Sequence, residues 1–135
     1  MGCEDSIQAV EKRHLREAVF GEPAVLVSLG QLYQPSIDAV SLYETMRSLV
    51  KVGRWRAKKI KLVCAVYAGF IKEVYVVSRW SRANFWSSYS FEGEVAADDL
   101  REKYVGSSVA AYWGPSDRSI IKYATYEVKG RKYKS

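Results

Sequence analysis

A chain of 135 residues, 48% apolar and 13% aromatic, can bury one core without disulfides or a structural metal, and this composition excludes intrinsic disorder. No stretch approaches the roughly 18 apolar residues of a membrane span, and the opening MGCEDSIQ lacks the basic-then-apolar order of a secretory signal, so the chain reads as a single cytoplasmic domain over residues 1–135. A net charge of +6 suits a polyanionic partner.

Cys3 and Cys64 stand outside any Cys-x-x-Cys pair and read as reduced thiols. Met1-Gly2 with Ser6 satisfies the short N-myristoylation pattern, a string brief enough to arise by chance. Residues 1–22 read as an N-terminal helical segment. Its helix over 5–20 has Asp5 and Gln8 as a capping box and Ile7, Val10, Leu15, Ala18 and Val19 as a loose apolar stripe, and Gly21 and Pro23 stop it. AVLVSL, residues 24–29, is β-branched, bounded by Pro23 and Gly30, and predicts a buried strand. After the loop GQLYQPS, Ser36 or Asp38 can cap a helix on which Ala39, Leu42, Tyr43, Met46, Leu49 and Val50 recur at helical spacing.

Gly53 breaks that helix, and a short second helical segment is expected to end near Ile60. Residues 61–80 predict two long strands joined at Ala68-Gly69. SRWSRANFWSSYS, residues 78–90, has no clear period and reads as a long loop leading into a strand around Tyr89 to Val95. Asp98 or Asp99 then starts a helix that Gly106 ends, residues 119–128 predict a last strand, and 129–135 form a basic tail. This order implies an α+β fold in which about five or six strands curl into a small β-barrel with flanking helices.

Charge is segregated along the chain. From Thr45 to Phe91 the single acid is Glu73, against Arg47, Lys51, Arg54, Arg56, Lys58, Lys59, Lys61, Lys72, Arg79 and Arg82. KVGRWRAKKIK, residues 51–61, interleaves arginine and lysine with Trp55, which suits phosphate forks and base stacking; a solvated helix end would look similar. Arg79 and Arg82 follow the hairpin, whose far end returns toward its start, so both basic groups are expected on one face. Trp80, Phe85, Trp86 and Tyr89 could form a stacking platform, with Trp80 and Trp86 preferred because they flank a polar, basic loop. Tyr67 and Tyr75 lie within strands and read as structural. Arg47, at a helix end, could reach a phosphate or base edge, or tie Glu44 or a carbonyl.

Several strings resemble a family of small prokaryotic proteins: Leu42-Tyr43-Glu44 with Arg47, Ala65-Val66-Tyr67 with Gly69, Glu73-Val74-Tyr75, Phe91-Glu92-Gly93, Lys103-Tyr104 with Gly106, and Ile121-Lys122-Tyr123. The resemblance spans roughly residues 24 to 123, and the element order looks like the PUA-like superfamily of EVE, ASCH and YTH-type domains. It implies RNA or modified-base binding among aromatic side chains beside a basic surface, with Gln31 and Tyr33 placed where such domains line a pocket. The chain departs from the family at Ser48 and Val50, where a glycine and a tryptophan are usual, and Trp55 is the candidate replacement for the lost ring. Some relatives accompany GIY-YIG nuclease domains; that motif does not occur in this chain.

Catalytic chemistry is thinner. The only histidine, His14, sits between Arg13 and Arg16, so no His-based triad or His-rich metal site can be assembled. Glu92, Glu94, Asp98, Asp99 and Glu102 cluster in sequence, and Asp117 with the EVK of residues 127–129 mimics a restriction-type nuclease order. The expectation is therefore a nucleic-acid-binding module for RNA or DNA, without cofactor, metal or catalytic residues. Its nucleic-acid site comprises Arg47, Arg54, Trp55, Arg56, Lys58, Lys59, Arg79, Trp80, Arg82 and Trp86. The alternatives are a small metal-dependent nuclease and a protein-interaction subunit that docks an acidic partner.

Overall fold

The structure, a computed structural model, describes residues 16–83 and 88–124. Its elements in chain order are β1 (Ala24–Ser28), a 3-10 turn (Gly30–Leu32), α1 (Ala39–Leu49), β2 (Val52–Gly53), α2 (Arg54–Lys59), β3 (Leu62–Tyr67), β4 (Phe70–Ala83), β5 (Ser88–Val95), α3 (Asp98–Tyr104), a second 3-10 turn (Ala110–Tyr112) and β6 (Ile121–Ala124). Asp38 caps α1, its carboxylate accepting from the Ser41 amide at 2.7 Å. No described helix is long and apolar enough to cross a membrane.

The strands form one six-stranded sheet in the order β2-β5-β4-β3-β1-β6. Every pairing is antiparallel except β1 with β3. Parallel neighbours need a crossover, and the stretch from α1 through α2 supplies it. Residues along β1 and β3 alternate between the two faces. Val25, Val27, Val63 and Ala65 meet Leu42, Met46 and Val50 of the α1 layer, Ala57 of α2, and Ile60. Ala24, Leu26, Leu62, Cys64 and Val66 meet Tyr104 of α3 and Val109. Strands buried on both faces read as continuous apolar runs, which is why AVLVS and LVCAVY are so uniform.

The sheet curls into a half-barrel, and its end strands are not hydrogen-bonded to each other. The curl is visible in a single contact: β2 ends at Gly53 on one margin, yet Arg56, three residues later, lies with its guanidinium 3.9 Å from the ring centroid of Tyr123, on β6 at the opposite margin. The mouth is spanned by α2 instead of by a strand-to-strand ladder.

Two readings of the sequence change. Residues 5–15 of the expected first helix lie outside the described residues, and 16–20 are not helical: Glu17 bridges Ser108, and Ala18 and Phe20 pack on the α3 face. Phe20 stacks on Tyr104 at 4.9 Å, a tertiary contact that overrides a weak helical period. The expected loop over 78–90 is largely strand, because β4 runs through 14 residues to Ala83 and β5 begins at Ser88. Its period was hidden by a register shift between Val77 and Arg79 that leaves Ser78 without a partner on β5. The last strand is described over Ile121–Ala124; residues 125–128 and the tail 129–135 lie outside the described residues.

Candidate nucleic-acid interface

A six-residue helix does not stand alone in water, so α2 must be held by its surroundings. Ala57 and Ile60 are buried against the core, and Arg56 lies over Tyr123, anchoring α2 at its middle and end. Burial holds the Tyr123 phenol above its usual pKa, and the nearby Arg56 charge opposes that rise. The remaining side chains, Arg54, Trp55, Lys58 and Lys59, are exposed. Trp55 is 71% exposed, and Lys58 Nζ covers one side of its ring at 4.9 Å from the centroid. The side chains of Arg54, Lys59 and Lys61 make no hydrogen bond or ion pair with a described residue. Lys51 caps the end of α1, donating to the Ser48 carbonyl at 3.0 Å.

The bulge at Ser78 decides what the returning hairpin brings to this helix. It turns Trp80 onto the α1/α2 side, opposite Phe91, with the ring centroids 6.2 Å apart. Trp80 is therefore not the free platform expected from its polar neighbours: it is half-buried against the core and its indole N–H donates to the Ile60 carbonyl at 3.4 Å. Arg79, one position earlier, projects to the opposite face, where it donates to Glu92 at 2.9 Å. The expectation that Arg79 joins the α2 cations is corrected, because it is turned away and neutralised. Its guanidinium holds the Glu92 carboxyl below the usual range, with Ser81 contributing a further hydrogen bond. Arg82 is exposed and pairs in register with Tyr89, which puts it on the face of Trp80. Phe85 and Trp86 lie outside the described residues.

Arg47 has a task inside the fold. β2 covers only Ser88 and Tyr89 of β5, so the next backbone groups along that edge need other partners. Arg47 Nε donates to the Phe91 carbonyl at 2.8 Å, and the Tyr43 hydroxyl accepts from the Gly93 amide at 3.0 Å. The Arg47 guanidinium also lies 5.9 Å from the Tyr43 ring centroid. Tyr75 is buried, and burial together with the Glu73 charge pushes its phenol up to about 12. Tyr67 is 37% exposed and packs on Tyr33 at 4.9 Å, while Gln31 is exposed in the turn after β1.

The acidic residues serve local purposes. Asp98 and Asp99 occupy the first turn of α3, where negative charge is favoured. Arg101 holds Glu73 through two bonds of 2.8 and 3.2 Å. Asp117 is bonded to Lys122 and accepts from the Ser119 amide at 2.9 Å, which lowers its pKa to about 2. Among the described residues no group of three or more His, Cys, Asp or Glu side chains converges as a metal site. The EVK of residues 127–129 and His14 lie outside the described residues.

Sequence reasoning overlooked a cleft of about 340 Å³ between the turn after β1, the end of α1 and the loop before β6. Its lining includes Leu32, Leu49, Trp113, Arg118 and Ile120. The string YWGPSDRS, residues 112–119, carried the signal: a tryptophan beside a Gly-Pro turn and an arginine following an aspartate. Compared with family models, with curated proteins and with solved structures, the chain finds no match in any of the three.

Proposed function

We propose that this domain binds nucleic acid through the outward side of α2, with Arg54, Lys58, Lys59 and Lys61 on phosphates and Trp55 stacking on a base. The observation that carries the reading is the exposure of Trp55 among cations, three of which (Arg54, Lys59 and Lys61) have side chains with no hydrogen-bond or ion-pair partner among the described residues. Three cations elsewhere, Arg101, Arg79 and Lys122, each face a carboxylate instead. A planar ring flanked by free cations gives a strand both a stacking surface and counter-charge. Arg82, on the Trp80 face, can extend the basic track, and Arg56 positions the helix. The same reading takes the half-barrel, with a helix across its mouth, as a PUA-like domain. It describes binding without turnover.

Fluorescence anisotropy with labelled single-stranded RNA, single-stranded DNA and duplex DNA tests this. Binding that weakens steeply between low and physiological salt is expected; undetectable binding of all three at low salt refutes the reading.

A second reading, an interaction subunit, draws on one observation. Val40 and Val95 are 71% and 44% exposed around a hollow of about 220 Å³ that Tyr43 and Gly93 also line. A partner protein that co-purifies in stoichiometric amount without nucleic acid favours that reading.

A further inference from the structure

We infer that the open end of the β5 edge docks an extended segment of a partner protein, one that carries an apolar side chain between lysines or arginines. This rests on the interaction reading above and is independent of nucleic-acid binding. An antiparallel pair alternates between residues that bond across the pair and residues whose backbone groups point away from it. Val95 stands opposite Tyr75, and the neighbouring Ala96 amide donates to the Val74 carbonyl at 2.9 Å, so Val95 directs its own amide and carbonyl away from β4. Gly93 faces the same way, its amide donating to the Tyr43 hydroxyl, and β2 reaches no further along this edge than Tyr89. The Gly93 carbonyl and both Val95 groups make no hydrogen bond with a described residue. Three backbone groups in line are a template for an added strand.

Beside these groups lies the hollow of about 220 Å³. Ligand sites run from roughly 300 to 1,000 Å³, so this one suits a single side chain better than a cofactor. Val95 stands on the α1 side of the sheet with Tyr75, its cross-strand partner. A residue of an added strand next to Val95 sets its side chain between Val95 and the exposed Val40 of α1, where Tyr43 also lines the hollow.

The rim sets the charge of the occupant. Glu94 lines the hollow, Asp38 adjoins Ala39, which also lines it, and Glu44 lies one helical turn after Val40 on the same face of α1. All three acidic residues are exposed, and none of the described residues lining the hollow is a lysine or arginine. Arg47, which approaches the Tyr43 ring, is bonded to the Phe91 carbonyl. On a chain of net charge +6 this spot is acidic, so it repels phosphates and attracts a cationic peptide. A second copy is a poorer occupant, because a two-fold contact through this edge sets the two acidic rims against each other.

The test titrates the full chain into a fluorescein-labelled peptide in which valine alternates with lysine. Two controls accompany it: valine alternating with glutamate, and the lysine peptide methylated on its backbone nitrogens. The lysine peptide is expected to bind about tenfold more tightly than either control, or better, and Val40→Lys and, independently, Val95→Pro should each weaken it about tenfold. Proline is tolerated on edge strands and Val95 gives β4 no amide hydrogen, so Val95→Pro removes the outward donor and spares the ladder. Val40 is on the surface, so its variant remains informative even if Val95→Pro unfolds. Binding that methylation and both variants leave unchanged is charge attraction alone and overturns the inference. Self-association of the free protein that Val40→Lys abolishes assigns the edge to a second copy and overturns it too. If no peptide binds while a partner protein co-purifies, the edge assignment falls and the interaction reading survives. If neither is found, both fall.

Discussion

Arg47 illustrates how a cation within a basic stretch can belong to the fold. Its bond to the Phe91 carbonyl completes an edge that β2 leaves open, so Arg47→Ala strands that acceptor and should cost about 1–2 kcal/mol by urea denaturation. The same variant should leave the salt dependence of nucleic-acid binding unchanged, because this side chain points into the sheet margin. Gly93, on the same edge, has no room for a side chain: a Cβ there would collide with the Val76 carbonyl. Gly93→Ala should therefore destabilise by about 2–3 kcal/mol, since the obstacle is backbone and cannot rotate away. Asp117 gives a pH signature. Its pKa falls from 3.8 to about 2 because Lys122 and the Ser119 amide favour the carboxylate, so the stabilisation is fully present above pH 3.8 and is lost as pH falls through about 2. Asp117→Asn should lower the melting temperature at neutral pH, and the gap from wild type should close toward pH 2. The sequence marked Arg47 as interesting but could not say for what, since the carbonyl it meets lies 44 positions away. Trp113 and Arg118 escaped notice for the same reason, their cleft being assembled from three separated stretches of chain.

Local elements were legible where one period governs them. α1 follows its apolar spacing and its Asp38 cap, and the β3–β4 hairpin turns where Ala68-Gly69 predicted. At that turn Ala68 and Gly69 have φ of 54° and 86°, the type I′ geometry in which an alanine is strained and asparagine is favoured. Ala68→Asn should raise stability by about 0.5–1 kcal/mol in chemical denaturation. What the sequence hid were features defined by a partner strand: the two-residue β2, and the bulge that reverses which face Trp80 and Arg79 occupy. α2 belongs to both groups. Its helical composition is local, but it is fixed in place by Arg56 on Tyr123. A double-mutant cycle with Arg56→Ala and Tyr123→Leu should show coupling of about 0.5–2 kcal/mol, and additivity would mean that α2 is held only by Ala57 and Ile60.

At the scale of the whole molecule, a half-barrel closed by a helix turns a basic stretch of sequence into a surface. The sheet carries core on both faces, and α2 lies across its open mouth with Trp55 outward. The segregation of charge was readable from residues 45–91, whereas the division between engaged and free cations was not, because Arg79 and Arg47 are claimed by partners on another strand. The central claim is that the free cations of α2 and its exit contact phosphates. Its most direct test is the salt slope of single-strand binding for wild-type protein against the triple variant Arg54→Gln, Lys59→Gln and Lys61→Gln. Each phosphate contact on a single strand contributes a slope of about −0.7, so losing three should make the log–log slope shallower by about 2, with weaker binding at low salt. An unchanged slope and affinity in a folded triple variant would contradict the account.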